Sequence, residues 1–192
     1  LRVFDRDATA SRNKIIEIVG RLDSAVDSAF EPLRHKEGAN KLFYSASALA
    51  DHSIIWFIVA LSLYFLRPRY KKEALQAAAI LFAESGFVNV IVKTIFRRQR
   101  PIHVGDRPLP LRQPLTSSFP SGHATAATCA AVLFGDVKYL KWPIRMFAAT
   151  VVMSRVHVKI HHASDVIAGV GVGWVFANVA KRTVTKVFGG SN

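Results

Sequence analysis

Ile15, Ile16, Ile18, Val19, Leu22, Val26, Phe30 and Leu33 recur three and four residues apart, with charged residues between them. That spacing predicts an amphipathic helix lying at a membrane interface and not crossing it. Beyond it the apolar stretches lengthen. Residues 42–66, ending in the run Ile54 to Leu66, would reach roughly 37 Å as helix, enough to span, although Asp51 and His52 interrupt them. A second span is expected over 74–96, with Gln76, Glu84 and Asn89 inside it, and a third from Gly122 to about Leu140. A fourth starts at Trp142-Pro143, where Pro suits a first helical turn, and runs to about Val158. The fifth covers about Ser164 to Ala180 and contains Gly169-x-x-x-Gly173, a candidate close-packing face. No period-two alternation of any length occurs, so the expected fold is all-α. It is a polytopic membrane helical bundle of about five transmembrane helices plus the interfacial helix, with residues 1–41 as the interfacial segment and 42–188 as the transmembrane domain. The connection from Pro101 to Pro120 is broken by Pro108, Pro110 and Pro114; loops of that length are usually functional.

Composition sharpens this picture. The chain has 192 residues, 51% of them hydrophobic, yet a formal charge of +13. That hydrophobicity excludes a disordered basic tail, and the single Cys129 excludes a disulfide-stapled scaffold. Residues 1–41 hold eight Lys or Arg against seven Asp or Glu and are nearly neutral. The other basic residues fall in clusters between the apolar runs: Arg67, Arg69, Lys71, Lys72; Arg97, Arg98, Arg100; Lys138, Lys141, Arg145; and Lys181, Arg182, Lys186. Basic loops between apolar segments are the pattern of a multi-span membrane protein. Nucleic-acid binding would instead need the cations on one exposed face with aromatic partners, so no nucleic-acid partner is expected. The first residue is Leu1, which suggests a trimmed start, and Gly189-Gly190-Ser191-Asn192 reads as a tail.

Three motifs carry the chemistry: Lys93-x6-Arg100-Pro101 at the end of the second span, Pro120-Ser121-Gly122-His123 opening the third, and Ser154-Arg155-x5-His161-x3-Asp165 between the fourth and fifth. In this order and spacing they resemble the type 2 phosphatidic acid phosphatase superfamily, in its membrane lipid phosphatase branch. The resemblance covers residues of about 74–180. Phosphoryl transfer also needs cations where charge spreads over the phosphoryl oxygens. Lys93, Arg100 and Arg155 can supply three, and guanidinium forks fit phosphate oxygens. Ser121 and Gly122 stand where a loop enters a helix, so backbone N–H groups point at an anion, and Gly122 lets that backbone come close.

The resemblance implies that His161 is the nucleophile, forming a phosphohistidine, with His123 as general acid and then base. Asp165, four residues after His161, would share its helix face and hold the imidazole N–H. No cluster with metal-ligand spacing remains, so no metal and no cofactor is expected. The bilayer and a lipid phosphate are the expected partners. By resemblance the substrate is phosphatidic acid, phosphatidylglycerol phosphate, or a polyprenyl phosphate or diphosphate of cell-envelope synthesis. A vanadate-dependent haloperoxidase and a non-catalytic anionic-lipid scaffold are the competing classes.

Arg97 and Arg98 read as headgroup-facing, His157 and His162 as incidental, Ser154 as a backbone fastener, and Cys129 as a packing residue. Glu84, in mid-span, is expected to be paired and not catalytic. Arg107 and Arg112 are undecided. With all motifs on one face, the opposite face collects ten basic residues. The positive-inside rule then predicts a multi-pass cell-membrane protein with its site on the extracytoplasmic side. A span preceding Leu1 would put the N-terminus inside.

Overall fold

The computed structural model describes residues 2–103 and 106–188; the 189–192 tail and Leu1 lie outside the described residues. Among the described residues the regular structure is entirely helical: α1 (Arg2–Arg34), α2 (Glu37–Leu49), α3 (Ile54–Leu66), α4 (Lys71–Gly86), α5 (Lys93–Ile95), α6 (Gly122–Leu133), α7 (Lys141–His157) and α8 (Ala163–Phe188). Two short 3-10 turns, Asp51–Ser53 and Pro68–Tyr70, flank α3, and a π-helical stretch, Phe87–Val92, joins α4 to α5.

The centre of the bundle is α6, where Ala124, Ala126, Ala127, Cys129 and Ala130 are all buried. A helix that is apolar all round belongs inside, and its small side chains let neighbours approach. Its closest neighbour is α8: a Cβ added at Gly169 would stand 2.6 Å from the Ser121 carbonyl oxygen, and one at Gly173 would strike the Thr125 backbone. The Gly-x-x-x-Gly face is therefore the α6–α8 seam. Around it lies a belt of exposed apolar side chains, including Leu61, Phe65, Phe82, Val90, Met146 and Trp174. Lipid is the solvent that such a belt suits.

Two helices, Pro68–Ile95 and Ala163–Val184, are long and apolar enough to cross a membrane. A third span arises if Glu37–Leu49 and Asp51–Leu66, bent by 54°, count together. The sequence pattern suggested about five. The difference lies in α6, which stops at Leu133 before a 3-10 turn at Phe134–Asp136, and in α7, whose 17 residues begin with charged Lys141 and Arg145. Both fall short of the about 20 apolar residues a full crossing needs.

At the far end from the motifs, the basic loops meet. Arg67 sits over the Tyr139 ring at 5.5 Å, Tyr70 packs edge-on against Tyr139, and Lys181 binds Asp136. At the other end α1 clamps the α7–α8 turn. Val26 and Phe30 pack against the Val156, Ala163 and Val166 cluster. Arg34 caps α7 by donating to the carbonyls of Val156 and His157 at 3.0 and 2.9 Å, a favourable place for a cation. Lys159 faces Asp27 and Glu31. Ile15, Ile16, Ile18 and Leu22 remain exposed.

Candidate active site

The motifs converge on one polar cavity of about 350 Å³, walled by the α2–α3 bend, α4, the start of α6, the loop before it and the α7–α8 turn. Lys93, Arg100, Gly122, His123 and His161 line it. Asp165, Ser121 and Arg155 stand behind its wall, each nearly fully buried.

Ser121 is the N-cap of α6, its side chain accepting from the Ala124 N–H at 3.5 Å, while its own N–H donates to the Asp165 carbonyl at 3.0 Å. The start of α6 is thus tied to α8, and its first two residues, Gly122 and His123, line the cavity, so the positive end of the helix dipole lies beside it. Lys93 reaches the same place: a Cβ on Gly122 would sit 3.4 Å from its Nζ.

The π-helical stretch explains how Lys93 gets there. At about 100° per residue, nine residues of α-helix put Lys93 half a turn from Glu84. The wider π turns rotate less per residue, and both side chains then line the cavity. Glu84 is buried, with Lys93 the charge that acts on it, and no hydrogen-bond partner is found among the described residues. Nothing in the residue sequence signals the π register.

His161 is held from both ring nitrogens. Arg100 Nη1 lies 3.2 Å from Nε2. A guanidinium can only donate, so Nε2 carries the lone pair and Nδ1 the proton. Nδ1 faces Ser118 Oγ at 3.4 Å and Asp165 Oδ2 at 3.9 Å, and Ser118 in turn donates to Asp165 Oδ2 at 2.6 Å. The contact between His161 and Asp165 is thus bridged by Ser118, a residue that sequence reasoning missed because it precedes the Pro120-Ser121-Gly122-His123 motif. Burial first, then the charges of Arg155, Arg100 and Lys93, hold the His161 ring well below the usual histidine range. It is therefore neutral at neutral pH, with its lone pair on the nitrogen that faces Arg100.

Arg155 is 1% exposed, donates to Ser47 Oγ, and its Nε–H has no partner among the described residues. A buried guanidinium with an open donor beside the cavity suits an anion that enters it. His123 Nε2 lies 3.0 Å from Asp51 Oδ1. Of the undecided arginines, Arg112 lines the cavity, whereas Arg107 donates to the Val158 carbonyl and fastens the Pro-rich loop to the α7–α8 turn. The loop also sets Thr116 near Lys93 and Arg100, with fully exposed Leu115 beside it.

Arg98 overturns its headgroup-facing reading. It donates to Asp165 Oδ1 at 2.6 Å, to Ser164 Oγ at 2.7 Å and to Asp23 Oδ2 at 2.7 Å. Burial pulls this guanidinium down, but Asp23 and Asp165 more than offset that and leave it above its ordinary value. Asp23, from α1, also accepts from the Ser164 N–H at 2.8 Å. Its burial is outweighed by these bonds, which hold its carboxyl below the usual range. His157 bonds Asn40 at 2.8 Å and packs against Phe43, and Ser154 donates to Val151, both structural roles. Among the described residues no three His, Cys, Asp or Glu side chains converge as a metal site.

Apolar helices surrounding a cavity lined by His52, His123 and His161 together with Lys93, Arg100 and Arg112 define the class: a helical protein with a lipid-suited exterior and a cationic, histidine-lined site. Residues 73–188 match the sequence profile of the PAP2 superfamily. The decaprenylphosphoryl-5-phosphoribose phosphatase of Mycobacterium tuberculosis is 36% identical over 127 residues, covering 66% of this chain and 70% of that protein. Its counterpart in Mycolicibacterium smegmatis is 32% identical over 123 residues, 64% and 67% of the two chains. The fold is similar to that of the transmembrane PAP2 type phosphatidylglycerolphosphate phosphatase of Bacillus subtilis, with TM-score 0.68, 22% identity and 88% of each chain covered. Aquifex aeolicus LpxE gives TM-score 0.64 and 21% identity over 81% of this chain and 93% of that one. The chain belongs to the PAP2 superfamily and is a membrane phosphatase.

Proposed function

We propose that this protein removes a terminal phosphate from a lipid-linked phosphate, of the polyprenyl-linked type in particular, through a phosphohistidine on His161. The observation that carries the reading is the convergence of His161, His123, Lys93 and Arg100 on the lining of one cavity. His161 Nε2 attacks phosphorus while Lys93, Arg100 and Arg155 balance the charge that spreads over the equatorial oxygens. Arg100, which bonds Nε2, turns its donors to the phosphoryl group. His123 protonates the leaving oxygen and then deprotonates the water that releases phosphate.

The polyprenyl preference draws on the names of the 36% and 32% identical relatives. The belt of exposed apolar side chains gives the tail somewhere to stay. The joined basic loops at the end opposite the cavity support an extracytoplasmic site by the positive-inside rule.

The test is phosphate release by the detergent-purified protein from phosphatidic acid, phosphatidylglycerol phosphate, polyprenyl phosphates and diphosphates, and polyprenyl phosphosugar phosphates. Release without added metal, blocked by vanadate and fastest on a polyprenyl-linked substrate, is expected. A preference for a glycerolipid phosphate contradicts the substrate reading, and loss of release on chelation contradicts the mechanism.

A further inference from the structure

Asp51 lies outside residues 73–188, the stretch that matches the family profile, and belongs to none of the three motifs. It stands at the bend where α2 gives way to α3, and the backbone there is unusual. The next two residues, His52 and Ser53, both have positive φ, 53° and 61°. A left-handed conformation is unfavourable for a residue with a Cβ, and two in succession persist only where surrounding contacts impose them. The result of the bend is specific. It brings Ala50, His52 and Ser53 to the cavity wall and sets Asp51 Oδ1 3.0 Å from His123 Nε2.

An ionised carboxylate only accepts hydrogen bonds, so in this pair Nε2 carries a proton and the tautomer is fixed. The other nitrogen, Nδ1, has no hydrogen-bond partner among the described residues and belongs to a ring that lines the cavity. The remaining charges acting on the ring are the cations Arg155 and Lys93, and Asp51 itself feels Arg155 and Arg112. Asp51 is thus the counter-ion available to the ring when it takes up a second proton among these cations.

We propose that Asp51 is the positioning residue for the acid half of the reaction, and that the Asp51–His123 pair equips the site for poor, alkoxide-type leaving groups: phosphate monoesters of aliphatic alcohols. This rests on the assignment of His123 as general acid under the proposed function. In the first step a bond forms between His161 Nε2 and phosphorus as the ester P–O bond breaks. The electron pair stays on the departing oxygen, which takes a proton from Nδ1 of a His123 ring that enters the step doubly protonated and leaves it as the Nε2–H tautomer. Asp51 stays ionised against Nε2–H throughout. In the second step His123 Nδ1 accepts a proton from water as that water's oxygen bonds to phosphorus. The P–N bond breaks and its pair returns to His161. Two carboxylates then serve two histidines in opposite senses: Asp165, through Ser118, orients the nucleophile, and Asp51 holds the acid.

The test is a leaving-group series on the full chain in detergent, from a short-chain alkyl phosphate to a nitro-substituted aryl phosphate, whose anion leaves without protonation. Asp51→Asn should lower kcat on the alkyl ester by about 10²-fold, the scale of general-acid assistance, with KM little changed. Its loss on the aryl ester should be at least tenfold smaller, and Asp51→Glu should recover part of the alkyl activity. The alkyl-to-aryl ratio does not depend on how much of a variant has folded. His123→Ala should show the same bias more strongly. If His123→Ala is biased but Asp51→Asn loses both esters equally or neither, the role given to Asp51 is overturned while the acid assignment stands. If His123→Ala is itself unbiased, the acid assignment fails and takes this inference with it.

Discussion

At the level of single residues, the site turns on protonation states that geometry fixes. Arg100 can only donate, so the His161 lone pair is on Nε2, and a neutral ring is what burial among cations enforces. The sign of its pH dependence follows. The folded ring resists protonation below the unfolded value of about 6.5, so the unfolded state binds more protons there and stability falls as pH drops through that value. His161→Asn should flatten this acid-side loss of Tm between pH 6.5 and 5; an unchanged slope would assign the loss to other groups. Arg98 shows what a linear sequence hides. It sits two residues before the motif's Arg100, in a run of basic residues that looks like a lipid-facing cluster. Only the fold reveals Asp165 and Asp23 on either side of it. Removing one partner of a buried ion pair costs about 3–5 kcal/mol. Arg98→Ala should therefore lower Tm and kcat together, whereas a surface-like loss below about 1 kcal/mol would contradict the bridging role. The expected shared helix face of His161 and Asp165 is not what joins them, since His161 lies in the turn before α8; Ser118 between them was not legible, because a serine in a Pro-rich loop carries no signal of its own.

Helices and loops were legible to the extent that their periodicity is regular. The amphipathic stripe of α1, the start of α7 at Trp142-Pro143 and the Gly169-x-x-x-Gly173 seam all follow from spacing. Irregular backbone was not legible: the π-helical stretch that swings Lys93 toward the cavity, the positive-φ pair at the α2–α3 bend, and the early stop of α6 at Leu133. Each depends on tertiary contacts that override local preference. The seam yields a direct prediction. A methyl group at Gly169 meets the Ser121 carbonyl at 2.6 Å, and backbone cannot swing aside as a side chain can. Gly169→Ala should cost about 1–3 kcal/mol through overpacking, despite the gain in helix propensity. Because Ser121 caps the helix whose first turn, Gly122 and His123, lines the cavity, kcat should fall as well. A variant with wild-type Tm and kcat would show that the seam has room.

Across the whole molecule, the +13 charge divides by location. Lys93, Arg100 and Arg155 gather at the cavity, while the loops bearing Arg67, Tyr139 and Lys181 meet at the other end. If the second group is cytoplasmic, a membrane-impermeant thiol reagent on intact cells should label a Leu115→Cys variant of a Cys129→Ala background and spare Arg182→Cys. The reverse pattern would invert the orientation. Span number was the least legible property, since α6 and α7 are apolar in pattern but shorter than the about 20 residues of a regular span. All of these features serve one chemical claim, that phosphate leaves the lipid by way of His161. The direct measurement is rapid alkaline quench of the protein turning over a ³²P-labelled lipid phosphate, followed by mapping of the label. An acid-labile, base-stable phosphate on the peptide containing His161, absent in His161→Ala together with turnover, is the expected result. Turnover with no label on that peptide, or substantial turnover by His161→Ala, would contradict it.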